Sequence, residues 1–325
     1  MNLDPDMVRL LESISIDFQT PVDWAGARAA AKALEPLLVG PEGAARVKSV
    51  EEHRIHGTDG ALDVRLYRPE GAPAMTVVHF HGGGWALGDL DMHDHTVRKI
   101  CRRLGAIVVS CTYRLAPENP FPAAYNDALA ATRWVLSQIE ALGGDPGRVV
   151  IAGDSGGGNL VAAVTLALRD EARLAAAELA RPLPALRAQL LLYPGVDVRD
   201  SARQAASFVA DQDPSISSAM IGECISAYVQ GGQHGDWRVS PLAAADFSGL
   251  PPALVVVLSV DPLRDQAVAY AARLQEAGVP CELIEFAHLT HGFCHIRALV
   301  PAAELAFDEV LARFEFFVNL GNGGK

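Results

Sequence analysis

Six short apolar runs, most of them rich in β-branched residues, recur along this chain and constrain its fold more than any other feature. They are TVVHFHG (76–82), AIVVSCTY (106–113), RVVIAGD (148–154), RAQLLLYP (187–194), ALVVVLSV (253–260) and CELIEFA (281–287). Continuous apolar runs of this length are typical of strands buried on both faces, as in parallel sheets. Segments with helical apolar spacing accompany them at roughly 94–104, 122–142, 157–178, 263–277 and 302–318. This alternation predicts an α/β fold with a doubly wound sheet.

The start of the chain and one long connection depart from this alternation. ALDVRLYRP (61–69) alternates apolar and polar residues, which predicts an antiparallel strand at the start of a sheet of about eight strands. The fourth and fifth apolar runs are about 60 residues apart, and insertions of that size are usually lids or binding elements. Residues 1–45 carry helical apolar spacing. We expect residues 1–45 and the insert, about 198–236, to form a helical cap on a catalytic domain of residues 46–325.

Charge and composition exclude several classes of protein. The net charge is −12, from 27 basic and 39 acidic residues, and an acidic surface argues against a nucleic-acid partner. The sequence contains no run of roughly 18 or more apolar residues, so no membrane span is predicted. The first 18 residues, MNLDPDMVRLLESISIDF, do not resemble a signal peptide. The five cysteines include no C-x-x-C pair, which argues against a disulfide framework or a zinc site. We expect a cytoplasmic protein without membrane insertion.

The most informative motif lies in the third apolar run. The strand-like sequence VVIAGD is followed at once by Ser155, Gly156 and Gly157, and then by helical apolar spacing. A strand, G-x-S-x-G and a helix form the nucleophile elbow, which makes Ser155 a candidate nucleophile. A phosphate-binding turn is less compatible, because G-x-G-x-x-G spacing and a G-K-[ST] ending are both missing. Two other interpretations stay open: Ser155 could serve only as a helix N-cap, and G-D-S-G-G also surrounds the serine of all-β chymotrypsin-like peptidases.

A glycine-rich segment, HGGGW, follows the first apolar run. Its three glycines leave backbone N–H groups unobstructed, as the oxyanion hole of an acyl-transfer enzyme requires. We expect the N–H groups of Gly82, Gly83 and Gly156 to form this hole, and His81 to brace the loop.

Histidines near this segment raise the alternative of a metal site. His79 and His81, or His93 and His95, are two residues apart, so each pair could point the same way on a strand. A hydrolytic metal site needs a third ligand and usually carboxylates at fixed spacing. We therefore expect no metal and no cofactor.

The last two apolar runs supply a candidate acid and base. Asp261 follows the fifth run and His291 follows the sixth, which gives the chain order Ser, Asp, His of an α/β-hydrolase. In such a triad the histidine is the general base, and the aspartate holds its tautomer. Asp261 before a proline also suits a helix N-cap, and Asp265 and His288 are rival candidates.

Taken together, these motifs resemble those of bacterial hormone-sensitive-lipase-family esterases, which are α/β-hydrolases. The shared motifs are HGGGW (81–85), GDLDMHD (88–94), YRLAPE (113–118), FPAAYND (121–127), GDSGG (153–157), DPLRD (261–265) and HGF (291–293). The resemblance implies an α/β-hydrolase fold with a mostly parallel eight-stranded sheet, flanking helices and a helical cap. It favours Asp261 over Asp265 as the acid. It also implies a serine carboxylesterase that hydrolyses short- to medium-chain acyl esters without a cofactor, and a homodimer.

Two points qualify this interpretation. Gly156 stands where the family usually has alanine, but its backbone N–H is retained. The family also includes ligand receptors without catalysis, which lack the triad histidine, whereas this chain keeps His291. Hydrolysis of amides, carbamates or lactones is a further alternative, because the same machinery can cleave them. Candidate substrate-binding residues, for which core packing is the alternative, are Trp85, Leu87, Phe208, Ile216, Leu263 and Phe293.

Overall fold

A single sheet of eight strands runs through the part of the chain that the computed structural model describes, residues 3–13, 22–40, 43–177 and 183–320. The strands are β1 (Ser49–Gly57), β2 (Gly60–Arg68), β3 (Met75–Phe80), β4 (Ala106–Cys111), β5 (Val149–Asp154), β6 (Gln189–Leu192), β7 (Ala253–Leu258) and β8 (Cys281–Phe286). The α-helices are α1 (Pro5–Ser13), α2 (Trp24–Leu38), α3 (Asp94–Leu104), α4 (Ala123–Gln138), α5 (Gly156–Ala177), α6 (Ala206–Ala210), α7 (Ser218–Tyr228), α8 (Arg264–Glu276), α9 (Phe293–Ile296) and α10 (Pro301–Leu320).

The strands are arranged in the order β1-β2-β4-β3-β5-β6-β7-β8. The pairs β1–β2 and β2–β4 are antiparallel, and all other pairs are parallel. This confirms the predicted mostly parallel sheet with flanking helices. The first strand has no apolar run, because it lies at the edge of the sheet and Ile55 is its only buried residue.

The central strands are buried on both faces. Every residue of β3, β4, β5 and β7 is buried. Successive side chains of a strand point to opposite faces, so Val77 and Val78 belong to two separate apolar cores. Helices α4, α5 and α8 cover one core, and α3 and α10 cover the other. Full burial of one such valine contributes about 1.5–3 kcal/mol to the free energy of unfolding. The two cores therefore hold the central strands in register.

Helices α1 and α2 contact the edge of the sheet where the parallel strands end. Arg28 of α2 donates hydrogen bonds to the carbonyl oxygens of Ala86 and Ala116, at 2.8 and 2.7 Å. The backbone N–H of Asp4 donates to the carbonyl oxygen of His288, at 2.9 Å. These acceptors lie in the loops after β3, β4 and β8. The N-terminal helices therefore cover the carboxyl ends of the strands, where ligands bind in open α/β sheets.

Parts of the predicted cap lie outside the described residues, namely 1–2, 14–21 and 41–42. The insert between β6 and β7 contains α6 and α7. Within the described ranges, no helix has both the length and the apolar character that crossing a bilayer requires.

Gly157 at the start of α5 permits a close approach between helix and sheet. A Cβ at this position would lie 2.2 Å from the carbonyl oxygen of Phe80 and 2.5 Å from that of His81. Because these are backbone atoms of β3 and its following loop, they cannot move aside cheaply. We expect Gly157→Ala to destabilise the fold by about 3 kcal/mol or more.

The matched control is Gly222→Ala in α7, where a Cβ would meet nothing within 4 Å. Alanine has the higher helix propensity, so this variant should be about 0.5–1 kcal/mol more stable than the wild type. Urea unfolding followed by circular dichroism measures both changes. Equal stability of the two variants would contradict the proposed role of the close approach.

Candidate active site

Ser155 occupies a sharp turn between the end of β5 and the start of α5. Its φ is 51°, in the left-handed region that non-glycine residues rarely adopt, so the turn is strained. The N–H of Ser155 holds the turn by donating to the carbonyl oxygen of Leu192 at 2.9 Å. Gly153 lets the strand and the helix approach each other closely, because a Cβ at this position would lie 2.6 Å from the backbone of Gly157. In this turn the hydroxyl faces the loop that follows β8.

The predicted acid and base lie beside this serine. Nε2 of His291 is 2.9 Å from Oγ of Ser155, and Nδ1 of His291 is 2.8 Å from Oδ2 of Asp261. The other carboxylate oxygen of Asp261 accepts the backbone N–H of Leu263 at 2.8 Å, which fixes its orientation. The three residues thus form one continuous chain of hydrogen bonds.

The rival acid and base are engaged elsewhere. The carboxylate of Asp265 pairs with Arg264 and accepts the backbone N–H of Ser207. The ring of His288 packs edge-on against Phe286, 6.2 Å away. Neither side chain has a described contact with Ser155.

The electrostatic surroundings of His291 favour its protonated form. Burial alone would lower its pKa, but the charge of Asp261 and the hydrogen bond to it outweigh burial, so the pKa of His291 is raised above its ordinary value. A buried imidazolium that is stabilised in this way is what a general base needs after it takes a proton.

A buried aspartate, Asp213, was not found from the sequence. It lies in the insert, and its carboxylate accepts the backbone N–H groups of His291 at 2.7 Å and of Ser215 at 2.8 Å. Burial is the main reason why the pKa of Asp213 is raised. Asp213 therefore ties the insert to the backbone of the candidate base. An aspartate before a proline in a loop carries no sequence signal for such a contact.

The glycine-rich loop after β3 departs from the prediction at one position. The N–H of Gly82 donates to Oδ1 of Asp154 at 3.0 Å, so it is not free to bind an oxyanion. In the described part of the chain, the N–H groups of Gly83 and Gly84 have no hydrogen-bond acceptor. A Cβ at Gly156 would lie 3.2 Å from the backbone nitrogens of Gly84 and Trp85, which shows how closely this loop approaches the elbow. Gly84 therefore replaces Gly82 among the available donors.

Two side chains support the same loop. Nδ1 of His81 lies 2.8 Å from the carbonyl oxygen of Gly82. The hydroxyl of Tyr113 donates to the carbonyl oxygen of His81 at 2.8 Å, and the two rings stack with centroids 4.3 Å apart.

Nδ1 of His79 lies 3.2 Å from Oγ of Ser110. The pair His79 and His81 therefore does not converge on a common ligand position.

Asp154 also contacts a histidine that the sequence analysis did not single out. Nε2 of His295 lies 2.9 Å from Oδ2 of Asp154. Burial would raise the pKa of Asp154, but His295 and the other nearby histidines hold it well below its ordinary value. Asp154 is thus a buried carboxylate, held by His295 on one side and by the N–H of Gly82 on the other.

A cavity of about 520 Å³ opens above Ser155 and His291. Of the predicted substrate-binding residues, Trp85, Leu87, Ile216 and Leu263 line it. Lining residues that the sequence analysis missed come from the N-terminal helices and from α7; they include Leu10, Leu34, Leu38, Met220, Ile221 and Ile225. The walls are mainly apolar, which suits a hydrocarbon chain.

Two predicted substrate-binding residues are not in the cavity wall. Phe293 is fully buried in the core under the sheet, with its ring near those of Tyr193 and Phe286. Phe208 packs against the other core. Phe293 was predicted because it adjoins the candidate base, and Phe208 because it lies in the insert; neither position in the sequence decides which way a side chain points.

Three comparisons with known proteins identify the fold and the family of this chain. A family model described as the alpha/beta hydrolase fold matches residues 77–295. The chain is 38% identical to "Carboxylesterase NlhH" of Mycobacterium tuberculosis, over 96% of this chain and 95% of that protein. It is 36% identical to "Carboxylic ester hydrolase LipN" of the same organism, over 95% and 82%. The solved structure of a hyperthermophilic esterase from Pyrobaculum calidifontis has a TM-score of 0.88, 31% identity and coverage of 98% of this chain and 99% of that one.

The contact between His291 and Asp261 predicts how the imidazole titrates. In the wild type it should titrate above about 6.5, because the carboxylate stabilises the imidazolium. In Asp261→Asn that charge is gone and burial dominates, so the pKa should fall below the wild-type value. Histidine ring NMR, with His291→Gln for assignment, measures both.

Asp265→Asn serves as the control, because Asp265 has no described contact with His291, and it should leave the titration unchanged. A wild-type value below 6.5, or equal shifts in Asp261→Asn and Asp265→Asn, would contradict the pairing.

Proposed function

Since this chain belongs to the α/β-hydrolase family and is a carboxylic ester hydrolase of the hormone-sensitive-lipase type, we propose that it hydrolyses short- to medium-chain acyl esters with a triad of Ser155, His291 and Asp261. The observation that carries this proposal is the unbroken chain of hydrogen bonds from Oγ of Ser155 through the imidazole to the carboxylate, at 2.9 and 2.8 Å. Nucleophile, base and orienting acid stand in the spacing that proton transfer requires.

In the first half of the reaction, Ser155 is acylated. Nε2 of His291 accepts the hydroxyl proton while Oγ attacks the ester carbonyl carbon, and a tetrahedral oxyanion forms. The N–H groups of Gly83, Gly84 and Gly156 are the proposed donors to this oxyanion. Loss of one such donor typically costs about 10²- to 10³-fold in rate. The imidazolium then protonates the departing alcohol oxygen, and the acyl group stays on Ser155.

In the second half, water hydrolyses the acyl-enzyme. Nε2 of His291 takes a proton from the water, whose oxygen attacks the acyl carbon, and the same nitrogen returns the proton to Oγ of Ser155 as the acid leaves. Asp261 keeps Nδ1 protonated, so that Nε2 presents its lone pair to the serine or to the water. No step requires a metal or a cofactor.

The acyl chain is proposed to occupy the apolar cavity. Its volume of about 520 Å³ lies in the range of sites for small molecules. Side chains from both proposed cap segments, such as Leu34 of α2 and Met220 of α7, contribute to its wall. We therefore propose residues 1–45 and about 198–236 as a cap that limits the chain length of the substrate.

A homodimer and a cytoplasmic location stay predictions. For the dimer, we propose the edge formed by β8 and α10, where Leu283, Leu305 and Phe316 are exposed large apolar residues. Light scattering after size exclusion should give twice the chain mass for the wild type and the chain mass for Phe316→Asp. A monomeric wild type would overturn this proposal.

The triad is tested with p-nitrophenyl esters from acetate to dodecanoate. Ser155→Ala should lower kcat/KM by about 10⁴-fold or more, because no nucleophile is left to form the acyl-enzyme. Turnover by the wild type should peak at short or medium chains and be unchanged by a chelator.

The matched control is Ser137→Ala, on the exposed surface of α4, which should keep wild-type activity. Turnover that survives in Ser155→Ala would overturn the serine mechanism. Absence of turnover in the wild type at every chain length would overturn the proposed substrate class.

A further inference from the structure

Beside the proposed oxyanion loop, three buried or partly buried side chains converge that the ester reaction does not use as nucleophile, base or acid. They are His93 at the start of α3, Asp154 at the end of β5 and His295 in α9. One ring nitrogen of each histidine and one carboxylate oxygen of Asp154 lie within 4.8 Å of one another. Within the described ranges, no other group of three histidine, cysteine, aspartate or glutamate residues has this arrangement.

We propose that His93, Asp154 and His295 form a binding site for a divalent first-row transition-metal ion such as Zn²⁺ or Fe²⁺. Two imidazoles and one carboxylate are a ligand set that both ions accept, with further coordination positions left open. Bonds of about 2.1 Å allow ligand atoms to be at most about 4.2 Å apart. Tetrahedral coordination with such bonds separates ligand atoms by about 3.4 Å. Separations of up to 4.8 Å would therefore close by up to about 1.4 Å around the ion, and the pair Nε2 of His295 and Oδ2 of Asp154, now 2.9 Å apart, would open by about 0.5 Å.

Each of the three side chains has a second nitrogen or oxygen atom that would not bind the ion. This second atom already has a hydrogen-bond partner outside the group, called its outer partner below. Nδ1 of His93 lies 3.0 Å from the carbonyl oxygen of Asp89, which makes Nδ1 the protonated nitrogen and leaves the lone pair on Nε2. Nδ1 of His295 lies 3.3 Å from Oγ1 of Thr96. In known metal sites, such outer partners fix the tautomer and the orientation of the ligand ring.

The two oxygens of the Asp154 carboxylate likewise have different partners. Its Oδ1 accepts the N–H of Gly82 at 3.0 Å, whereas Oδ2 faces Nε2 of His295 at 2.9 Å. The ring of His93 meets that of His295 edge to face, with centroids 4.6 Å apart. An ion that takes Oδ2 as a ligand would leave the hydrogen bond to Gly82 in place.

The site has an entry path and room for exchangeable ligands. His93, Asp154 and His295 all line the substrate cavity, so an ion can enter from it and keep water in its open positions. The three residues are distinct from Ser155 and His291. The proposal therefore does not depend on the triad, and metal binding can be measured in a chain that cannot turn over ester.

The test uses full-length Ser155→Ala protein, treated with chelator and desalted. Titration with Co²⁺ should produce d–d absorption that saturates at one ion per chain, and calorimetry should show one Zn²⁺ displacing it. His93→Ala and His295→Ala should each weaken binding by at least about 100-fold, since loss of an outer partner alone costs about 10- to 100-fold. Thr96→Val should weaken it by about 10-fold for the same reason.

Two controls keep the outcome interpretable. His56→Ala removes an exposed histidine of β1 and should leave binding unchanged. His295→Gln can still hydrogen-bond to Asp154 but is a poor metal ligand, so it separates loss of the ligand from loss of the local fold; thermal unfolding of each variant verifies the fold.

Absence of a Co²⁺ spectrum would overturn the proposal, and His295 and Asp154 would then be only an ion pair. Binding that survives in both His93→Ala and His295→Ala, or that His56→Ala removes, would overturn it as well. The comparison of ester hydrolysis by the wild type and Ser155→Ala tests the proposed triad independently of metal binding.

Discussion

The backbone conformation at Ser155 is the constraint on which the rest of the site depends. A residue with a Cβ at φ 51° is strained, and that strain persists only where the surroundings over-determine it. Here the surroundings are a buried strand on one side and a helix that starts at the next residue. Gly153 and Gly157 let the two approach to distances that no side chain would permit. The core of the protein therefore holds the serine in place, and the loops that carry the other groups need only reach it.

Asp154 connects this turn to the glycine-rich loop. It precedes Ser155 directly, and its carboxylate holds the N–H of Gly82. The loop that presents the N–H groups of Gly83 and Gly84 is thereby fixed to the same strand that carries the serine. Such preorganisation matters for an oxyanion site, because donors that are already in position require no rearrangement when charge develops.

Patterns in the sequence predicted whatever depends on local chain geometry or on burial. The apolar runs identified the buried strands, and the turn motif identified Ser155 because small residues are required on both sides of it. The edge strand β1 was counted among about eight expected strands but was not located in the sequence, since a strand with one buried residue has no apolar run. Gly82 was predicted as an oxyanion donor because the three glycines look equivalent until the hydrogen bond from the N–H of Gly82 to Asp154 is known.

Tertiary contacts between distant segments were not readable from the sequence. Phe293 follows His291 closely, yet it points into the core, because the short helix α9 turns it away from the cavity. His295, two residues further, faces the cavity instead. Nothing in the local sequence distinguishes these two directions, and the pairing of His295 with Asp154 joins residues that are 141 positions apart.

The hydrogen bond between Asp213 and the backbone of His291 couples two segments whose contacting residues are 78 positions apart in the chain. The insert supplies the carboxylate, so the insert cannot shift without stretching or breaking its hydrogen bond to the loop that carries His291. The positions of the insert and of His291 are therefore not independent: a substitution in the insert that displaces Asp213 acts on His291 through its backbone, without touching the imidazole ring.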